Sequence, residues 1–173
     1  MFRTIRPREI KPLKREKSRI FFDINNYTKK NFNNVGILET PASFMSFFNG
    51  AIHEVYCDLF RPFKEKRYEK DLRESKDNNK KQELKKKVRT NLEKIQDFKL
   101  KLMCLLEKIK ELIADLKDFL MSQRKDLDSN QIKEIEEEIR EWEFVADNVL
   151  NTFINFISNT VERVVKPTLK KIE

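Results

Sequence analysis

The sequence predicts an all-α protein, an elongated antiparallel three-helix bundle with a coiled-coil-like hairpin and a basic, extended N-terminal arm. The 173 residues include only 2 Gly and 5 Pro, too few for the many tight turns of a β-sandwich or barrel. Apolar residues also recur at three- and four-residue intervals over most of the later chain, as in amphipathic helices. We therefore divide the chain into an arm, residues 1–40, and a helical bundle, residues 41–173.

The arm is strongly basic and has no sustained hydrophobic period. It contains ten Lys and Arg residues against four acids, a net charge of +6. Pro7, Pro12 and Gly36 interrupt any long helix in this stretch. We expect the arm to lie extended on the bundle or on an acidic partner. The arm cations that we assign to a phosphate or acidic partner are Arg3, Arg6, Arg8, Lys11, Lys14 and Arg15.

The first predicted helix covers about residues 41–76. Thr40 is a candidate N-cap, and Pro41 fits the first helical position, where its missing N–H has no intrahelical partner to lose. Pro62 should kink this helix or end it. If Pro62 bends the helix sharply, the same sequence gives a four-helix bundle.

The second predicted helix, about residues 80–124, has the clearest pattern. From Val88 to Leu120 its apolar residues follow the four- and three-residue intervals of a coiled-coil seam, and a flanking apolar stripe widens the face to suit a bundle. Lys99 occupies a seam position. Either its stem packs while its ammonium group reaches solvent, or it specifies the register or the partner.

The third predicted helix covers about residues 129–166. Asp128 is placed to cap it, with Gln131 as the capping-box partner three residues later, and Pro167 should end it near Val165. The turn between the second and third helices is short, so these two helices are expected to form an antiparallel hairpin.

Two segments carry more apolar residues than a single buried helix face can accommodate. The C-terminal half of the third helix is apolar on most sides, which suggests a further helix from a second copy or another protein. The segment from Phe44 to Phe48 either buries against the hairpin or offers a patch to a protein or a membrane surface. The protein-interface candidates are Phe44, Met45, Phe47, Phe48, Leu150, Ile154, Ile157 and Val161.

A basic bundle end is the second candidate site. In an antiparallel hairpin the start of the second helix lies beside the end of the third, so their lysines gather. Clustered cations of this kind are typical of a phosphate-binding surface, although Lys-rich helix faces are also often merely solvated. The candidates for a phosphate or acidic partner here are Lys80, Lys81, Lys85, Lys86, Lys87, Arg89, Lys170 and Lys171.

The sequence offers little material for catalysis, metal binding or a cofactor. The chain has a single His and 2 Cys, and it contains no phosphate-binding glycine loop and no nucleophile-elbow motif. His53 and Cys57 are four residues apart and could supply half of a zinc site. We interpret them instead as a partly buried histidine and a core cysteine, and we expect no enzyme, no cofactor and no small-molecule substrate.

These observations predict a non-enzymatic helical interaction or scaffold protein that bridges partners in a larger assembly. Its partner would be a protein or a second copy, with the arm and the basic end gripping an acidic surface. One alternative is a nucleic-acid-binding accessory protein that contacts the phosphate backbone with low sequence specificity. Another is a helical protein associated with an anionic membrane surface. We expect an intracellular, soluble protein in the cytoplasm, and an organelle matrix is also compatible.

Overall fold

The computed structural model of the chain describes residues 29–31 and 40–173. Within these ranges the protein is helical apart from short connections, and it contains no β-strand. The prediction of an all-α protein with long helices is therefore confirmed. No helix in the described part of the chain is long and apolar enough to cross a membrane.

The first predicted helix is divided into several pieces. Helix α1, Pro41–Val55, leads into a π-helical turn, Tyr56–Phe60, then into α2, Arg61–Lys64, and α3, Arg67–Glu74. The N-cap prediction is confirmed, because the backbone N–H of Ser43 donates to Thr40 Oγ1 at 3.0 Å.

The break in this region does not occur at Pro62. Pro62 lies in the first turn of α2, where a helix tolerates the missing N–H. The chain leaves the helical path at Lys66, whose φ of 56° is in the left-handed region. A residue in that conformation cannot continue a right-handed helix, so α3 begins anew after it.

The second long helix is a continuous 46-residue element, α4, Asn78–Gln123. Its first turn is capped by Asp77, whose Oδ1 accepts a hydrogen bond from the backbone N–H of Asn79 at 2.9 Å. A 3₁₀ turn, Arg124–Asp126, follows α4.

Helix α5, Ser129–Phe144, begins with the predicted capping box. The backbone N–H of Gln131 donates to Asp128 Oδ1 at 2.8 Å, and the backbone N–H of Asp128 donates to Gln131 Oε1 at 3.1 Å. The two reciprocal bonds satisfy donors that the first helical turn otherwise leaves open.

The last helical stretch continues without a break to the end of the chain. A π-helical turn, Val145–Leu150, joins α5 to α6, Asn151–Thr160, and a second one, Val161–Val165, joins α6 to α7, Lys166–Ile172. The prediction that Pro167 ends the helix near Val165 is wrong. Pro167 falls in the first turn after a wide π-helical turn, and a first-turn position does not require its N–H.

Contacts divide the described residues into two compact units. The first combines residues 29–31 and 40–50 with Leu102–Thr152, and the second combines Ala51–Lys101 with Phe153–Glu173. The core of the first unit is centred on Trp142, which is 1% exposed. Its ring centroid lies 6.0 Å from that of Phe44, which in turn stacks on Phe48 at 5.9 Å.

The second unit has its own aromatic core. Phe63 and Tyr68 contact each other with ring centroids 4.9 Å apart, and both are buried. The Asn91 side-chain amide donates a hydrogen bond to the Tyr68 hydroxyl. This bond attaches α3 to α4 within the unit.

Candidate acidic-partner interface

The start of α4 carries five lysines within eight residues and no acidic residue in its first turn. Lys80, Lys86 and Lys87 are exposed, whereas Lys81 and Lys85 are half-buried. The positive end of a helix dipole lies at this terminus, so the lysines add charge of the same sign. The predicted lysines of the second helix therefore do share one helix end.

Lys81 and Lys85 continue the apolar seam of α4 towards its N-terminus. They precede Val88 by seven and three residues, the same four- and three-residue rhythm that places Val88 and Ile95 in the core. Half-burial at these positions fits lysine stems that lie along apolar neighbours while their ammonium groups reach solvent. Lys99, the third lysine on this seam, is half-buried as well.

Two ion pairs connect the end of the chain to its neighbours within the second unit, one to α4 and one to α3. Arg89 Nη2 lies 2.7 Å from Glu173 Oε1, and Lys171 Nζ lies 3.4 Å from Glu69 Oε1. Lys170 is exposed and belongs to the same last turns of the chain. We call six lysines of the second unit the lysine cluster: Lys80, Lys81, Lys85, Lys86, Lys87 and Lys170.

None of the six lysines in this cluster forms an ion pair with another described residue. The two remaining candidates of the second unit, Arg89 and Lys171, are engaged with carboxylates. The Arg89–Glu173 pair is exposed on both sides and contributes at most about 1 kcal/mol, so a competing anion could also bind Arg89, whereas the Glu69 side chain that pairs with Lys171 is only 19% exposed. The arm candidates, Arg3 to Arg15, lie outside the described residues.

A groove of about 540 Å³ lies beside the cluster and carries both signs of charge. Its lining includes Lys76, Lys80 and Lys87 together with four carboxylates. The proximity of Asp71 and Glu74 to α4 depends on how α3 packs and was not predicted, whereas Asp77 and Glu83 lie at the start of α4 itself. The carboxylates that line the groove are Asp71, Glu74, Asp77 and Glu83.

The apolar interface candidates do not form a surface. Seven of the eight are buried within the chain, and Met45 is half-buried. Apolar periodicity alone does not reveal whether a stripe is covered by the chain itself or by a partner. The buried seven are Phe44, Phe47, Phe48, Leu150, Ile154, Ile157 and Val161, whereas the exposed large apolar residues are Leu100, Met103, Met121 and Phe144.

The described residues contain no group of three or more His, Cys, Asp or Glu side chains arranged to hold a metal ion. His53 and Cys57 are close to each other, with Cys57 Sγ 3.8 Å from His53 Nε2. Both cysteines are free thiols, and Cys104 is exposed on α4.

Comparison of the chain with protein-family models, with curated proteins and with solved structures found no match. A function for this chain therefore has to be inferred from the chemistry of its own surface.

Proposed function

We propose that this chain is a non-enzymatic helical interaction protein that bridges partners in a larger assembly. It would bind an acidic protein surface through its lysine cluster. One observation carries the proposal: six lysines of the second unit make no ion pair with the described residues. The basic arm, residues 1–40, would add further cations to the same binding surface. The helices would pack as an antiparallel bundle that presents this surface.

Clustered lysines favour an anionic partner for two electrostatic reasons. Like charges repel one another across a few ångströms, and a bound polyanion removes that repulsion while gaining direct attraction. Both contributions weaken as salt concentration rises.

The mixed charge of the neighbouring groove favours an acidic protein over nucleic acid. Asp71, Glu74, Asp77 and Glu83 would repel a continuous phosphate backbone, whereas a protein surface can place cations opposite them. Nucleic-acid binding is therefore an outcome of the test below. Binding to a membrane surface is disfavoured, because Phe44, Phe47 and Phe48, which were predicted to contact the lipid, are buried.

The test compares full-length chains binding poly-L-glutamate, duplex DNA and RNA across a salt series. The cluster variant is Lys80→Gln, Lys86→Gln and Lys87→Gln, all at exposed positions. The matched control changes exposed cations of the first unit, Lys125→Gln, Lys133→Gln and Arg140→Gln, and lowers the net charge by the same three.

We expect poly-L-glutamate binding that falls steeply with salt, is weakened in the cluster variant and is retained in the control. Equal weakening in both variants would show that net charge alone acts, which contradicts the proposal. Absence of wild-type binding to any polyanion at low salt also contradicts it. Tighter binding to DNA or RNA, with the salt slope reduced by about 2 to 3 in the cluster variant, would replace the acidic-protein partner by nucleic acid.

A further inference from the structure

The groove beside the lysine cluster is lined almost entirely by polar and charged side chains. It lies between the end of α3 and the first turns of α4, and its volume is about 540 Å³. Among its described lining residues only Leu84 is apolar, and Leu84 is half-buried. Pockets that take small organic molecules are lined mainly by apolar and aromatic side chains. The lining therefore favours a charged segment of a protein over a small organic ligand.

Opposite charges alternate along the wall that α4 and its cap contribute. Asp77, Lys80, Glu83 and Lys87 follow one another at intervals of three, three and four residues, so they share one side of the helix. All four are exposed. Glu83 precedes Lys87 by four residues, which is the favourable order and spacing for an ion pair within a helix. The two side chains nevertheless form no ion pair with each other or with another described residue.

The wall that α3 contributes is acidic. Asp71 and Glu74 are three residues apart at the end of α3, and both are exposed. Like the charged residues of the other wall, they form no ion pair with a described residue. The groove therefore presents four negative and three positive side chains to a partner.

A purely acidic partner does not match this arrangement. Its carboxylates would pair with the groove lysines, but they would also lie next to Asp71, Glu74 and Glu83, where like charges repel. Repulsion of this kind is a common way to discriminate against wrong partners. A Lys or Arg residue flanked by acidic residues would instead place an opposite charge at each position.

We propose that the groove binds a segment of the acidic protein partner in which a Lys or Arg residue stands among acidic residues. The basic side chain would enter the groove beside Asp71 and Glu74, while the flanking carboxylates pair with Lys80 and Lys87. This inference rests on the proposed function, because it names the chemistry of the segment that the lysine cluster attracts. The lysine cluster then supplies general attraction, and the groove supplies selectivity.

The test measures how two peptides of equal length and equal net negative charge bind the full-length chain at low salt. The first peptide contains only Glu and Gln. In the second, Lys replaces some of the Gln, and each Lys is balanced by one further Glu. The groove variant is Asp71→Asn with Glu74→Gln. The matched control, Asp58→Asn with Glu93→Gln, changes two exposed acids of the same unit that do not line the groove.

We expect the wild type to bind the Lys-containing peptide about threefold to tenfold more tightly than the Glu–Gln peptide, because one or two exposed ion pairs are gained. The groove variant should bind both peptides equally, and the control should keep the preference. Equal helical circular dichroism of the variants checks that folding is intact.

The outcomes separate this inference from the proposed function. If the wild type binds both peptides equally, or if the preference survives in the groove variant, the inference about the groove is wrong and the lysine-cluster proposal stands. If only the Lys-containing peptide binds, the groove inference holds and the lysine cluster alone does not suffice. Binding of neither peptide at low salt overturns both.

Discussion

Arg89 and Glu173, 84 residues apart in sequence, form an ion pair in which Arg89 donates two hydrogen bonds to Glu173 Oε1, at 2.7 and 3.2 Å. The pair brings Glu173 to the fourth turn of α4. It therefore joins the last turn of the chain, which carries Lys170, to the helix that carries the other five lysines of the cluster.

The Arg89–Glu173 pair is expected to contribute little to stability. Its side chains are 58% and 45% exposed, and exposed ion pairs typically couple by about 0.2–1 kcal/mol. A double-mutant cycle with Arg89→Gln and Glu173→Gln, measured by urea unfolding, should give a coupling in that range. The coupling should decrease in 1 M salt. A coupling above about 2 kcal/mol would indicate that solvent does not screen the pair as the structure implies.

Removing the Phe44 ring should strongly destabilise the first unit. Phe44 is fully buried and contacts Trp142 edge to face, so Phe44→Ala leaves a cavity and is expected to lower the free energy of unfolding by about 3–5 kcal/mol. Trp142 is the only tryptophan, and its fluorescence reports unfolding. Ser46→Ala, at an exposed position two residues later, is the control and should change stability by no more than about 0.5 kcal/mol.

Ionisation of Tyr68 should destabilise the protein at alkaline pH. Burial raises the pKa of its hydroxyl above the ordinary value of 10.0, and the Asp71 charge raises it further, while the hydrogen bond from Asn91 and the charge of Arg67 lower it. The unfolded chain then loses this proton at a lower pH than the folded chain. The contribution of the raised Tyr68 pKa to the free energy of unfolding is fully present below about pH 10, and it is lost as the pH rises through the pKa of Tyr68 in the folded protein.

The measurement for Tyr68 is the free energy of unfolding against pH for the wild type and for Tyr68→Phe. The variant lacks the ionisable group, so its stability should fall less steeply above pH 10 than that of the wild type. Other tyrosines and the lysines titrate in both proteins, which makes the difference between the two curves the informative quantity. Parallel curves would contradict the prediction.

The left-handed backbone of Lys66 provides a stabilising substitution. A non-glycine residue with φ of 56° carries a steric cost of about 1–2 kcal/mol. Lys66→Gly removes that cost but increases the freedom of the unfolded chain, so we expect a net gain of up to about 1 kcal/mol in thermal or urea unfolding. Lys70→Gly, inside α3, should instead lose about 0.5–1 kcal/mol. Destabilisation by Lys66→Gly would show that the left-handed conformation is not strained.

Features encoded over three or four residues were predictable from the sequence. The all-α class follows from the spacing of apolar residues, and the caps at Thr40 and Asp128 follow from short side chains placed three residues before their partners. The lysine cluster at the start of α4 could also be identified, because all but one of its members lie on a single helix.

Tertiary packing decided the rest. The sequence alone determined where the helices capped by Thr40 and Asp128 begin and how charge is distributed along the chain, since those properties depend on hydrogen bonds and periodicity within a few turns. It did not determine that Phe44 and Ile157 are covered by the chain itself, that the helix continues past Pro167, or that carboxylates of α3 lie beside the lysines of α4. Those outcomes depend on contacts between residues that are distant in sequence, and many local patterns are compatible with more than one such packing.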